Sequence, residues 1–187
     1  MVGDDGSASE DVRGLARLLL VDLPDRWAHT QGVANAAEIA ALGLTWEDAQ
    51  AVVAAAWLHD IGYAARCRRT GFHSIDGARE LLDRGYDPRV AALVAHHTMA
   101  RHEALARGMS DELDTYPLDT GPVADTLTWA DMTTDPTGGP TSAEDRLAEI
   151  LGRYPSADPV HVAIRTARED ILAAVRRTEE RIAARVH

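Results

Sequence analysis

Apolar positions recur along this chain at spacings of three and four, the period of an α-helix, and no stretch alternates apolar and polar residues as a half-buried strand would. The spacing predicts a first helix over 11–21. Pro24 and Asp25 restart the chain, and a second helix runs from Arg26 to Leu42, ending at Gly43. Thr45-Trp46-Glu47-Asp48 resembles a capping box and opens a helix reaching His59, which Gly62 breaks. A basic loop over 63–72 precedes a short helix from Ser74 to Arg84, stopped by Gly85. Asp87-Pro88 supplies an N-cap and a first-turn proline for a helix to His97. The polar stretch 98–121, with Gly108, Pro117 and Gly121, reads as a long loop holding one helical turn. Helix resumes from Pro122 to Met132, breaks at Thr133–Pro140, and returns over 141–153 behind a cap of Thr141 with Glu144. The last helix covers 157–186, with Val160, Ile164, Ala167, Ile171, Val175, Ile182 and Val186 as its apolar stripe. The expectation is an all-α bundle of six to eight helices. Residues 1–10 form a disordered acidic tail and 11–187 a single domain, with no internal repeat.

Composition agrees with that picture. The chain has 187 residues, 45% of them apolar and only 5% aromatic, so Ala, Leu and Val must fill the core. Charge narrows the partners. Thirty Asp and Glu against 19 basic residues, all of them Arg, give −11. Such acidity opposes general nucleic-acid binding and adhesion to an anionic membrane. The longest apolar run, Ala51 to Leu58, is far too short for a bilayer, and the acidic start lacks the apolar core of a signal peptide. One cysteine, Cys67, cannot form an internal disulfide and fits a reducing, cytoplasmic setting. Its arginine neighbours would lower its pKa, although no companion motif supports a cysteine nucleophile.

The chemistry lies in the histidines. Of eight, several end helices or stand between them, in the order His29, the dyad His59-Asp60, His73, the pair His96-His97, and then Asp131. Imidazole and carboxylate together suit iron, manganese, zinc, cobalt or nickel. At the end of a helix, just before Ile61-Gly62, the backbone can turn and let both members of the dyad reach one centre. On a helix, neighbours such as His96 and His97 point about 100° apart, so the two compete for one role. His161 and His187 read as ordinary surface or core residues.

This order resembles the HD-domain superfamily of metal-dependent phosphohydrolases. The resemblance rests on Arg26-Trp27-Ala28-His29-Thr30, on Trp57-Leu58-His59-Asp60-Ile61-Gly62, on His73 with Gly77 four residues later, on His96-His97-Thr98, and on Trp129-Ala130-Asp131-Met132. It covers about residues 25 to 135. It implies that His29, His59, Asp60 and Asp131 hold one divalent metal, that His73 and His97 complete a second, and that Asp60 bridges them. The Thr that comes after the ligand in the resembling motif selects His97 over His96. It further implies hydrolysis of a phosphate ester or anhydride by metal-bound hydroxide, on a small phosphorylated metabolite, a nucleotide foremost, with Asp60 and Arg26 catalytic. The segment Thr133–Gly139 departs from the pattern.

Phosphate also needs positive charge. Arg26 stands one turn before His29, Arg66, Arg68 and Arg69 lie between two motifs, and Arg101 comes after the fourth, so these five are the expected substrate-binding arginines. Two other readings share the motifs. A di-iron oxygenase uses a nearly identical ligand set, and a regulatory or binding module on a decayed HD fold would have lost ligands, none of which is missing here. The length of the last helix leaves open a homodimer seam along it.

Overall fold

The computed structural model describes residues 6–185 of the chain. Among them there is no strand, only an isolated bridge between Thr134 and Pro140. Nine helices of eight or more residues and one single-turn helix make an all-α fold: α1 (Gly6–Leu20), α2 (Pro24–Ala41), α3 (Trp46–Leu58), α4 (His73–Asp83), α5 (Pro88–His96), α6 (Ala100–Arg107), α7 (Ser110–Leu113), α8 (Pro122–Met132), α9 (Ala143–Arg153) and α10 (Pro159–Ala183). Short 3-10 turns succeed α3 and α5, over Ile61–Tyr63 and His97–Met99.

Local chemistry explains most boundaries. Thr45 caps α3 by accepting from the Asp48 amide, and Asp87 and Asp158 do the same for α5 and α10 through Arg89 and Val160. Three expectations need correction. Helix α1 starts at Gly6, inside the stretch read as a tail; residues 1–5 of that stretch lie outside the described residues. The cap of α9 is Ser142, accepting from Asp145, rather than Thr141 with Glu144. The stretch 98–121 is largely helical, as α6 and α7. Ala, Leu and Arg propagate α6, Glu103 pairs with Arg107 one turn on, and Gly108 ends it at φ +71°.

Two apolar clusters share the interior. The larger is built mainly by α1 to α5 with the buried face of α8. The smaller joins Met132 at the end of α8 to Leu147 and Ile150 of α9 and to Ile164, Ala167, Ile171 and Val175 of α10. The middle of the last helix's stripe, from Ile164 to Val175, is therefore covered within the chain, by α6, α8 and α9, and Val186 lies outside the described residues. Arg177 of α10 clamps Asp125 of α8 with two hydrogen bonds of 2.7 and 2.6 Å. Trp57 and Trp129 pack in this interior, as apolar neighbours of motif residues should. No helix among the described residues is long and apolar enough to cross a membrane.

Candidate metal centre

Five elements deliver six donors to one place. His29 comes from the middle of α2, His59 and Asp60 from the end of α3, His73 from the first residue of α4, His97 from the kink after α5, and Asp131 from the last turn of α8. All but His73, which is half-buried, are buried. Their ligand atoms fall into two triads, His29–His59–Asp131 and Asp60–His73–His97, with every atom of a triad within 4.8 Å of the others.

Spacing inside the triads suits ions. Two donors each about 2.1 Å from one metal lie roughly 3 to 4 Å apart. The His29 Nε2 to Asp131 Oδ1 distance is 3.0 Å and that between the Nε2 atoms of His73 and His97 is 3.2 Å. Asp60 Oδ1 lies 3.6 Å from His59 Nε2 in the first triad and 3.8 Å from His73 Nε2 in the second, so one carboxylate oxygen stands between the two. His96 goes elsewhere. It ends α5 and donates from Nε2 to the Tyr116 carbonyl at 3.0 Å.

The histidines are turned for coordination by the backbone. A carbonyl can only accept, so a bond from Nδ1 to a carbonyl puts the proton on Nδ1. His29 donates in this way to the Asp135 carbonyl at 3.0 Å, His59 to that of Ala56 at 2.8 Å, and His97 to that of Val94 at 2.6 Å. In all three Nε2 is turned to the centre, the arrangement that orients metal-binding imidazoles; at His59 and His97 it carries a lone pair, while at His29 it shares a proton with Asp131 Oδ1 that an ion would displace. His59 Nε2 is buried without any hydrogen-bond partner, a costly state for a nitrogen unless something binds there. The donor set therefore fits two divalent ions.

The segment Thr133–Gly139, which departs from the expected pattern, is what turns His29. Gly138, at φ +84°, lays the loop against α2 so closely that an added Cβ would stand 2.4 Å from the Ala28 carbonyl. At Gly32 an added Cβ would stand 2.4 Å from the Gly138 carbonyl. Only glycine on both sides brings the Asp135 carbonyl over His29. At the opposite edge, a Cβ on Gly62 would lie 1.9 Å from the His73 carbonyl, so this glycine sets how closely α4 approaches the dyad. The kink after His97 is strained. Thr98 and Met99 both have positive φ, 45° and 59°, and the Thr98 hydroxyl donates to Asp131 Oδ2.

Electrostatics keeps most of the donors ready. Burial resists ionisation of Asp60, but His59 and Arg26 outweigh it and hold the carboxyl well below the usual range. Asp131 is held down in the same way by His29 and His59. Burial lowers the pKa of His59 and, with His97 beside it, lowers that of His73 further, so both imidazoles are neutral near pH 7. His29 is the exception. Its burial is outweighed by the hydrogen bond to Asp131, and its pKa is raised.

Arg26 lies against the centre. It donates to Asp60 Oδ2 at 3.0 Å and lies over the Tyr63 ring, 3.9 Å from its centroid, while Tyr63 stacks on His73 at 4.2 Å. The other four expected arginines do not reach it. Arg66 and Arg68 are exposed, Arg69 pairs with Asp83 at 2.6 Å, and Arg101 pairs with Asp170 at 2.8 Å against α10. The loop 63–72 turns outward because Asp76 holds it to α4, accepting from the amides of Thr70 and Gly71. Arg146 and Arg153 of α9 take the place of those arginines beside the metal donors. A pattern could have flagged Arg146. It falls on the apolar face of α9 with Ala143, Leu147 and Ile150, a rare position for a charge without a task. Cys67 is fully buried, and burial pushes its thiol up to about 11, against the lowering expected from its arginine neighbours.

Comparison with curated proteins and comparison with solved structures give no match. The model of the HD domain family matches residues 26–136, a stretch that begins at Arg26 and takes in all six donors. The ordered donors, their two triads and this match agree, and the chain belongs to the HD domain family.

Proposed function

We propose that this protein is a metal-dependent phosphohydrolase that cleaves a phosphate ester or anhydride of a small metabolite, a nucleotide foremost. One observation carries the reading: two donor triads, with one carboxylate oxygen of Asp60, a member of the second, also within 4 Å of His59 in the first, and with arginine side chains beside them. In this reading His29, His59 and Asp131 hold one divalent ion, His73 and His97 hold another, and Asp60 is shared. Two such ions, when bound, lower the pKa of water and neutralise charge on phosphoryl oxygens.

The protein's own groups do the positioning. Arg26, fixed between the Asp60 carboxylate and the Tyr63 ring, presents a permanent cation to a phosphoryl oxygen at the cavity formed by the donors. Thr98 holds the second oxygen of Asp131, which leaves Oδ1 directed toward His29. Met99, Met132, Ile150 and Ile164 line the same cavity and limit water around the reacting group. Catalysis then rests on placement and electrostatics rather than on a protein nucleophile.

The test is anaerobic purification, elemental analysis and a panel of nucleotides and sugar phosphates read by phosphate release, in air and under nitrogen. Hydrolysis consumes no oxygen, so release should be equal in both at a fixed metal oxidation state. Oxygen uptake coupled to product formation, with no phosphate released from any ester, would replace this reading with the oxygenase one.

A further inference from the structure

The donors open onto a cavity of about 80 Å³. Next to it lies a cleft of about 440 Å³, lined by Leu23 to Arg26 and by Pro136. Arg26, Arg146 and Arg153 line both spaces, so they stand where one meets the other. Arg146 and Arg153 belong to α9, outside the stretch matched by the family.

Their setting is that of a built site. Arg146 is only 5% exposed, and its Nε is buried without a hydrogen-bond partner. Glu149 divides its carboxylate between the two arginines: Oε2 accepts from Arg146 at 2.5 Å and Oε1 from Arg153 Nε at 2.8 Å. That fork fixes both guanidinium groups without satisfying Arg146 Nε. A buried, unmatched guanidinium donor is costly, and an anionic oxygen would remove the cost. Arg26 is held against Asp60 beside the donors, and the α9 pair stands where the cavity meets the larger cleft.

We infer that Arg146 and Arg153 form a subsite for a second anionic group of the substrate, bonded close to the phosphoryl that reacts, with the rest of the molecule lying in the larger cleft. The inference rests on the phosphohydrolase reading. The chemistry required is a second set of anionic oxygens, supplied by a further phosphate or by a carboxylate. A bidentate guanidinium pair suits either.

The test is calorimetric binding to the metal-loaded protein, in buffer holding the metal in excess, of three non-hydrolysable probes: methylphosphonate, phosphonoacetate and methylenediphosphonate. At least one of the two-anion probes should bind about tenfold or more tightly than methylphosphonate. The tighter one identifies the second group as carboxylate or phosphate. Arg146→Met and Arg153→Met should each remove that gain while methylphosphonate binding changes less than about threefold. Arg69→Met, at a remote pair, should leave all three unchanged. Arg153 is exposed, so its variant keeps the test intact if the Arg146 variant does not fold. Equal binding of all three probes to the unaltered protein overturns the subsite and leaves the phosphohydrolase reading standing, as does a gain that survives both substitutions. Failure to bind any of the three overturns both.

Discussion

Asp60 is the residue that stands next to donors of both triads. Its Oδ1 is within 4 Å of donors in each, and its Oδ2 anchors Arg26. Asp60→Asn should drop bound metal from about two ions to one or none and abolish turnover, measured by elemental analysis and phosphate release. His73→Ala or His97→Ala should cost about one ion, and His96→Ala none, because His96 is spent on the Tyr116 carbonyl. Loss of metal in the His96 variant, with retention in the His97 variant, would reverse the assignment within that pair. Cys67 gives a second residue-scale test. Buried, with its thiol raised to about 11, it should resist labelling by a disulfide reagent in the folded protein and react only on unfolding. The donors themselves were legible in the sequence because coordination demands particular residue types. The roles of the arginines were not, since nearness along the chain says little about which way a loop turns. Arg69 goes outward with its loop to Asp83, while Arg146, far along the chain, arrives on α9.

At the scale of elements, the centre depends on how closely helices approach. Gly62→Ala would press a methyl group into the His73 carbonyl and force α4 away from the dyad. A cost of roughly 1–3 kcal/mol is expected, together with weakened occupation of the Asp60–His73–His97 triad, checked by denaturant unfolding and elemental analysis. Unchanged stability and metal content would show that α4 can shift without harm. Helix starts were readable from caps at Thr45 and Asp87, where a short side chain meets a free amide. The stretch 98–121 holds two helices that its punctuation hides, because Gly108 caps α6, Gly121 precedes α8, and Pro117 lies in the loop between α7 and α8. The role of Thr133–Gly139 was equally hidden. What matters there is a main-chain carbonyl, and a carbonyl has no letter in the sequence.

Across the whole molecule, the buried charges make stability depend on pH. In the metal-free protein His59 and His73 have folded pKa values below the ordinary 6.5. As pH falls below about 6.5 the unfolded chain takes up protons at these positions before the folded one does, so stability is lost. His29 has the opposite sign. Its raised value adds stability that is full below about 6.5 and fades as pH rises through the folded pKa. Two lowered groups against one raised group leave a net loss on acidification, and Asp60 and Asp131 extend it below about pH 4. The urea midpoint of metal-free protein should therefore be lower at about pH 5.5 than at about pH 7.5, and a higher midpoint at the acid value would contradict the balance. The central claim, that six donors act as one two-ion centre, is tested most directly by titrating metal-free protein with manganese under nitrogen and recording phosphate release at each step. Release should stay low to about one equivalent and climb to a plateau near two. A plateau at one equivalent, or release indifferent to metal, would contradict it.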